Sequence, residues 1–332
     1  MSSVSVSSPS NIALIKYWGM SDAEQTFPVN ASLSMTLSRC ISTCTLETLD
    51  CEATDEVWWK GEDGLLVPAN GPMRKGISQH VLRLRHHFDF WQPLRIITAN
   101  TFPTGAGIAS SASGFSALAL AFASLCGQAP STDLLSALAR LSGSGSAARS
   151  VLGGFVQWPG DPGDLQSPPR QFAPPDHWPL HDLIAVVDPS PKSVSSREGH
   201  RRALSSPHFP TRQKLLPERL KNLQQAILAQ DFAAFADAVE CEAIELHMIA
   251  MTSVPPVFYW QPATLAVFYH VQQLRRDGLQ VCATFDAGPN IHVLCTPVHQ
   301  PAVSEALRNL PVIRQLIPDR IGDGPSITEI QL

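Results

Sequence analysis

A segment rich in glycine and serine, FPTGAGIASSASG at residues 102–114, has the composition of an anion-binding turn. Gly105 and Gly107 allow backbone N–H groups to converge, and Ser110 and Ser111 stand where helical spacing begins. The first N–H groups of a helix have no partner within the helix, so they attract an anion such as phosphate. The segment lacks the lysine of the GxxxxGK[ST] loop and differs from GxGxxG. It predicts a phosphate site, and the alternative is a tight turn capped by serines.

A second stretch of this kind, SGSGSAARS at residues 142–150, combines several hydroxyl groups with one cation. Arg149 follows the turn, and a guanidinium holds a carboxylate or a phosphate through two parallel hydrogen bonds. The pattern is typical of a site for an anionic ligand, and the alternative is a flexible linker.

Near the start of the chain, NIALIKYWG at residues 11–19 contains a lysine between apolar and aromatic residues. A half-buried lysine in such surroundings is a candidate functional group, because burial shifts its pKa. The alternative is an edge strand from which Lys16 extends to water.

The hydrophobic pattern predicts a mixture of strands and helices that would position these segments. Alternating apolar and β-branched residues or buried apolar runs predict strands at 33–48, 94–98, 183–188, 280–285 and 291–295. Helical spacing, with residues suited to helix starts and ends, predicts helices at 110–126, 131–141, 217–229, 231–251 and 262–277. Six prolines within 161–180 predict a surface loop or a domain junction.

Composition restricts the class of protein. The 332 residues are 44% hydrophobic and 16% charged, which predicts a folded chain of two domains or one large domain. The net charge of −5 and the absence of a basic stripe argue against a nucleic-acid partner. No run approaches 18 apolar residues and the start lacks the pattern of a signal peptide, which predicts a cytoplasmic protein without a membrane partner. Seven cysteines without a CxxC motif predict reduced thiols rather than disulfides or a zinc site.

Five motifs, in order along the chain, resemble those of the diphosphomevalonate decarboxylases, a family within the GHMP superfamily of small-molecule kinases. They are NIALIKYWG at 11–19, FPVNASLS at 27–34, FPTGAGIASSA at 102–112, GSGSAARS at 143–150 and FDAGPN at 285–290. The segment SSREG at 195–199 also resembles the family's pattern. The matches span residues 11 to 290, so the resemblance covers most of the chain.

The resemblance implies an α+β fold of the GHMP-kinase type. Its ribosomal S5-like, ATP-binding N-terminal half would span residues 1–182, its ferredoxin-like C-terminal half residues 183–332, and the active site would lie in the cleft between them. The implied enzyme is a homodimeric lyase of the mevalonate pathway of isoprenoid biosynthesis. With ATP and Mg²⁺ it phosphorylates the C3 hydroxyl of mevalonate 5-diphosphate, and the loss of phosphate and CO₂ then gives isopentenyl diphosphate.

The resemblance also implies a task for individual residues. Asp286 would be the base at the C3 hydroxyl, Arg149 would hold the C1 carboxylate and Lys16 would lie close to the reacting groups. Mg²⁺ would be held mainly by ATP, with Ser110 or Ser111 nearby and no dedicated protein ligands. The residues that would bind ATP are Pro103, Gly105, Ala106, Gly107, Ala109, Ser110 and Ser111. Those that would bind the substrate are Tyr17, Trp18, Ser144, Ser146, Ser196 and Arg197.

The implied chemistry explains why these residue types are needed. A tertiary alcohol is a weak nucleophile, and a carboxylate that takes its proton contributes about 10²–10⁴-fold to the rate. Asp286 fits this task because it follows a predicted strand and precedes Gly288-Pro289, and the alternative is an aspartate that bonds its own turn. Several kinases of the superfamily carry a catalytic aspartate on the helix where this chain has Arg149. The arginine therefore favours the decarboxylase branch.

Four residues depart from those that the family usually has: Met20 for Lys, Ala31 for Ser, Ala148 for Cys and His200 for Met. Met20 removes one cation from a site for highly charged ligands. His200 stands beside Arg201 and Arg202 and could touch the substrate's phosphate end. Three alternatives therefore stay open. They are a phosphomevalonate decarboxylase, an enzyme resembling mevalonate 3-kinase, and a non-catalytic protein that binds a phosphorylated metabolite.

Overall fold

The computed structural model describes residues 2–22, 25–61, 63–103, 108–190, 192 and 194–331. The strands are β1 (Ser3–Ile15), β2 (Met20–Asp22), β3 (Phe27–Pro28), β4 (Ser32–Thr48), β5 (Glu56–Lys60), β6 (Leu66–Pro68), β7 (Leu94–Asn100), β8 (Phe155–Trp158), β9 (Arg170–Ala173), β10 (His181–Val186), β11 (Val281–Phe285), β12 (Ile291–Cys295), β13 (Gln315–Arg320) and β14 (Ser326–Gln331). The helices are α1 (Gly71–Phe88), α2 (Ser110–Leu125), α3 (Thr132–Arg140), α4 (Ser196–Ala203), α5 (Phe209–Ala229), α6 (Phe232–Met251), α7 (Pro262–Arg276) and α8 (Gln300–Arg308).

Two sheets organise the described residues. The larger has the strand order β14-β1-β4-β7-β5-β6, with β8 paired to β4 and β9 paired to β8. The smaller has the order β11-β12-β10-β13, and β2 and β3 form a separate pair. Lys16 follows β1 and its side chain is 1% exposed, so it does not extend to water as the edge-strand alternative required. This mixture of sheets and helices confirms the predicted α+β class.

The strands β10, β11 and β12 of the smaller sheet are buried on both faces, which explains why their sequences are mostly apolar, whereas β13 is largely exposed. Leu183 and Val293 pack with Val267 of α7 on one face. Ile184 and Leu294 point to the opposite face and join the core formed with β1, α5 and α6. The sheet therefore holds the end of β11 against the end of β1.

Most predicted elements are confirmed to within a few residues, and two are corrected. The helix predicted to begin at Pro217 begins at Phe209, so that Pro217 lies inside α5. Leu216, Leu220 and Leu223 are buried along one side of this helix, and their packing outweighs the cost of an internal proline.

The second correction concerns 161–180, which contains the short strand β9 between Pro169 and Pro174. The four residues of β9 contain no proline, so they pair with β8 as an edge strand. The rest of the segment has no regular structure, as predicted.

The division of the chain at residue 182 stays a prediction. The strand β14 returns to the larger sheet, where Gln331 lies opposite Ser3.

Among the helices of the described residues, none is long and apolar enough to cross a membrane.

Candidate active site

Lys16 and Asp286 form an ion pair where the two sheets meet. Lys16 follows the last residue of β1, and Asp286 follows the last residue of β11. The Lys16 Nζ lies 2.8 Å from Oδ1 of Asp286, and it also donates to the backbone oxygen of Ala13 at 2.7 Å. The Lys16 side chain is 1% exposed and that of Asp286 is 25% exposed. The carboxylate therefore keeps an open side while the ammonium is enclosed.

The electrostatics of this pair keep Asp286 ionised. Burial raises the pKa of Asp286, but the Lys16 ammonium and its hydrogen bond bring that pKa below its usual value. Burial also lowers the pKa of Lys16, and the Asp286 and Glu242 carboxylates oppose this shift. An ionised carboxylate with an open side can accept a proton from a bound molecule.

Three buried side chains fix the backbone of Lys16. Its N–H donates to Oε1 of Glu242 at 3.0 Å, and its carbonyl accepts from Asn30 and Arg212, each at 3.0 Å. Arg212 and Glu242 are both fully buried and pair with each other. This network joins β1 to α5 and α6, so the position of the ammonium is set by the fold rather than by a mobile side chain.

Arg149 is a buried cation beside this pair. It follows the 3₁₀ turn Gly145–Ala148 and is 2% exposed. Its guanidinium donates to Ser32 Oγ at 2.8 Å and twice to Asn11 Oδ1, at 3.2 and 3.3 Å. Burial lowers its pKa to about 10, against the attraction of Asp286. No carboxylate forms an ion pair with Arg149 within the described part of the chain, so its charge is available for an anionic ligand.

The turn before Arg149 contributes the predicted hydroxyl groups. Ser144 Oγ lies 3.2 Å from Ser146 Oγ and 3.4 Å from Ser111 Oγ, at the start of α2. The Tyr17 ring packs so closely on Gly145 that a Cβ there would lie 2.5 Å from the ring. Glycine is required at this position because of that approach, which joins the segment after β1 to the serine-rich turn.

The start of α2 has the features predicted for an anion site. Ala109, the residue before the helix, has a left-handed backbone with φ 50° and makes no side-chain cap. No acidic residue lies in the first turn, so the helix dipole favours an anion at this end of α2. Ser110 is half-buried, Ser111 is exposed and Pro103 is half-buried. Three predicted contacts, Gly105, Ala106 and Gly107, lie outside the described residues.

Ser196 and Arg197 stand at the start of α4, and close to them lies Lys192, which the sequence analysis missed. The Arg197 guanidinium lies against Gly143, 3.3 Å from the place of a Cβ there. Lys192 donates to Ser196 Oγ and to the carbonyl oxygen of Ala287, both at 2.7 Å. Burial lowers the pKa of Lys192, and Asp286 opposes the shift. Lys192 stands in a proline- and serine-rich stretch, whose sequence contains no periodicity that would single it out.

Trp18 and His200 line the same region. The His200 ring centre lies 4.3 Å from that of Tyr17 and 4.6 Å from that of Trp18. The N–H of Gly19 donates to His200 Nδ1 at 3.0 Å. Trp18 is 2% exposed, and its indole Nε1 has no hydrogen-bond partner among the described residues.

A pocket of about 280 Å³ adjoins the start of α2, and sequence reasoning did not find it. Its walls come from α1, α2 and the strands β4, β5 and β7, and they are mostly apolar. The lining residues are Cys44, Trp59, Pro72, Met73, Gly76, Ile77, Ile96, Thr98, Asn100, Ser110, Ser111, Gly114, Phe115 and Leu118. Such a pocket suits a flat, mostly apolar group whose attached anion reaches Ser110 and Ser111.

The contacts above bring Lys16 and Asp286 together and join Tyr17 to the serine-rich turn before Arg149. No such contact joins Pro103 or Ala109 to them within the described part of the chain. Comparison with known proteins identifies the family. Residues 8–167 match the diphosphomevalonate decarboxylase-like N-terminal domain, and residues 182–327 match the mevalonate 5-diphosphate decarboxylase C-terminal domain. The chain belongs to the diphosphomevalonate decarboxylase family.

Relatives within the diphosphomevalonate decarboxylase family match nearly the whole chain. The enzyme mvd1 of Aspergillus fumigatus is 39% identical over 303 residues, which are 85% of this chain and 74% of that protein. A solved structure of MDDEF in complex with MVAPP, AMPPCP and magnesium is 32% identical and covers 98% of this chain and 99% of its own, with a TM-score of 0.89. The Staphylococcus aureus mevalonate diphosphate decarboxylase is 30% identical and covers 99% of this chain and 98% of its own, also with a TM-score of 0.89. The likeness to these decarboxylases is consistent with the GHMP-kinase fold.

Proposed function

We propose that the protein is an ATP-dependent carbon–carbon lyase of the mevalonate pathway that converts mevalonate 5-diphosphate into isopentenyl diphosphate, with ADP, phosphate and CO₂. The observation that carries this proposal is the combination of the Lys16–Asp286 pair with Arg149, a buried cation without a carboxylate partner among the described residues. A kinase needs a base at a hydroxyl group, whereas a decarboxylase of a hydroxy acid also needs a group that orients the carboxylate.

In the first half of the reaction, Asp286 takes the proton of the C3 hydroxyl. Lys16 occupies Oδ1, which leaves Oδ2 and the open side of the carboxylate for the substrate. The C3 oxygen then attacks the γ-phosphorus of ATP, and the bond between that phosphorus and the β-phosphate oxygen breaks. Phosphoryl transfer depends mainly on positioning and charge neutralisation. The enclosed Lys16 ammonium supplies positive charge next to the oxygen that loses its proton.

ATP would bind with its base in the pocket of about 280 Å³ and its phosphates at the start of α2. Among the described residues, no three His, Cys, Asp or Glu side chains lie together in a way that would hold a metal ion. Ser110 and Ser111 offer hydroxyl oxygens there, and Mg²⁺ commonly binds through a few protein oxygens together with substrate phosphates. The residues present therefore fit a Mg²⁺ that arrives with ATP. When bound, Mg²⁺ neutralises charge on the transferring phosphoryl group.

In the second half, the bond from C3 to the phosphate oxygen breaks, and the electrons of the C1–C2 bond form the new C2–C3 double bond as CO₂ leaves. Arg149 would hold the C1 carboxylate in line for this step, since Ser32 and Asn11 fix its guanidinium. A very strong ion pair would keep electrons on the carboxylate. The neutral partners of Arg149 support a contact that orients the group more than it stabilises its charge.

The diphosphate end of the substrate would lie at the start of α4. Ser196 and Arg197 stand there, and Lys192 adds a second cation 2.7 Å from Ser196 Oγ. Tyr17, Trp18, Ser144 and Ser146 would complete the walls. This arrangement separates the anionic end from the reacting carbons, which lie nearer to Lys16 and Asp286.

The test is to measure ADP and CO₂ release by the purified protein with ATP and Mg²⁺, with mevalonate, mevalonate 5-phosphate and mevalonate 5-diphosphate in parallel. We expect both products with the diphosphate alone. ADP without CO₂ would identify a kinase, and both products from the monophosphate would identify a phosphomevalonate decarboxylase. No release with any substrate would leave a binding protein and refute the proposal.

We further propose a homodimer in the cytoplasm, with its two parts divided near residue 182. The seven cysteines form no disulfide, which suits a reducing compartment. The separate family matches to residues 8–167 and 182–327 support the division. Light scattering on the purified protein tests the dimer. A mass near 36.0 kDa would indicate a monomer, and a mass about twice that a dimer.

A further inference from the structure

His200 is a buried histidine that the reaction described above does not use. It lies in α4 and is 8% exposed. The rings of Tyr17 and Trp18 flank its imidazole at centre distances of 4.3 and 4.6 Å. These two contacts hold the ring in one orientation.

The hydrogen bond from Gly19 fixes which nitrogen of His200 carries the proton. The Gly19 N–H donates to Nδ1 at 3.0 Å, so Nδ1 accepts with its lone pair and the proton of a neutral ring is on Nε2. Burial lowers the pKa of His200 to about 3, with further lowering by Lys192, Arg149 and Arg212. The ring is therefore neutral at physiological pH.

Among the described residues, the one hydrogen bond of the His200 side chain is that from Gly19 to Nδ1, so Nε2–H has no partner there, and the residue keeps 8% of its surface exposed. Tyr17 Oη and Trp18 Nε1, by contrast, are fully enclosed. The Nε2–H group is therefore a donor with access to a bound molecule.

The surroundings of His200 favour an anion. Ser196 and His200 are four residues apart, so they lie on the same side of α4. Lys192 bonds to Ser196 Oγ at 2.7 Å on this side, and Arg149 acts on His200 through its charge. Met20, next to Gly19, packs against the cluster of Tyr17, Ala148 and Trp158 and supplies no charge.

We propose that His200 Nε2–H donates a hydrogen bond to a phosphate oxygen at the anionic end of mevalonate 5-diphosphate and thereby contributes to substrate specificity. This inference rests on the proposed function. His200 would offer a neutral donor whose orientation is fixed by the Tyr17 and Trp18 rings. It would therefore position the phosphate oxygen without adding charge, unlike the neighbouring lysine and arginines.

Two substitutions separate this task from a merely structural one. His200→Gln keeps a donor near the position of Nε2 but removes the acceptor for Gly19, whereas His200→Asn keeps an acceptor near Nδ1 but removes the donor. We expect His200→Asn to raise the KM for mevalonate 5-diphosphate about ten- to a hundredfold, the usual effect of losing one hydrogen bond to a charged group. His200→Gln is expected to stay within about threefold of the wild type, because its donor remains.

In thermal unfolding, His200→Gln should be less stable than His200→Asn, because only His200→Gln leaves the Gly19 N–H without a partner. The KM for ATP should be unchanged in both variants, and calorimetric titration with mevalonate 5-diphosphate alone should reproduce the order of the KM values. If His200→Asn binds as tightly as the wild type, or if His200→Gln loses as much affinity as His200→Asn, the inference is wrong while the proposed function stands. If the wild-type protein neither binds nor converts mevalonate 5-diphosphate, the proposed function fails and this inference fails with it.

Discussion

The substitution Asp286→Asn tests the centre of the proposed mechanism. Asparagine keeps the size of the side chain and an oxygen for Lys16, but it cannot take the proton of the C3 hydroxyl. The loss of a general base lowers the rate by about 10²–10⁴-fold. A second effect adds to this, because Lys16 loses its counter-charge.

The distance within the pair sets the size of that second effect. Two unit charges 2.8 Å apart attract by about 6 kcal/mol at an effective dielectric constant of about 20, before the cost of burial is subtracted. Without this attraction, burial of Lys16 dominates and lowers its pKa further, so the ammonium tends to release its proton. We therefore expect kcat to fall at least 10³-fold, while the fold remains intact because the neutral amine no longer needs a partner.

The assay is simultaneous ADP and CO₂ release at saturating substrate, with ATP affinity and thermal unfolding as controls. Lys16→Met is the matched variant, and the double variant completes a thermodynamic cycle. If the two side chains act as one unit, the double variant is no slower than Asp286→Asn alone. Activity of Asp286→Asn within tenfold of the wild type would refute Asp286 as the base, and fully additive losses would refute the pair as a unit.

Three further predictions concern stability and the two binding regions. The buried histidines His80, His200 and His247 have pKa values lowered to about 4, 3 and 3. Below about pH 6.5 these histidines take up protons in the unfolded chain but not in the native one. For each histidine, the free energy of unfolding should therefore fall by about 1.4 kcal/mol for every unit by which the pH is lowered. Denaturant titrations at pH 7.5 and 5.5 measure this decrease in the free energy of unfolding, and His80→Gln should remove about a third of it. The same decrease in His80→Gln as in the wild type would contradict the lowered pKa of His80. Gly145→Ala introduces a Cβ 2.5 Å from the Tyr17 ring, so it should cost about 1–3 kcal/mol in chemical denaturation and raise the KM for the substrate. Gly114→Leu should obstruct the pocket and raise the KM for ATP at least tenfold, whereas Gly114→Ala, whose Cβ meets no atom closer than 4.0 Å, serves as its control; equal ATP kinetics in the two variants would show that ATP binds elsewhere.

Local sequence patterns predicted the elements that depend on local interactions. Asp231 caps α6, and Ser131 caps α3, through the hydrogen bonds that their positions in the sequence suggest. The start of α5 was predicted incorrectly because Pro217 is a strong local signal against a continuing helix. Only the buried leucines that pack across the core show why the helix continues through it.

The candidate site was predictable where one motif carried both the residue and its context. Lys16 and Arg149 stand in such motifs, and both side chains are buried. Lys192 was not predictable, because its contacts with Ser196 and Ala287 are formed only in the folded chain. The pocket beside α2 was missed for the same reason, since its walls come from five separate elements.

The pairing of β14 with β1 has a consequence for biosynthesis. The strand that ends at Ile15 leaves the ribosome early, yet one of its two partners contains Gln331 and is made more than three hundred residues later. Until then one edge of β1 has no partner, and an unpaired strand edge invites pairing with other chains. Slow closure is expected for so distant a contact. Residues Ser3–Ser7 of the nascent chain are therefore expected to stay open to incorrect pairing until β14 has been made.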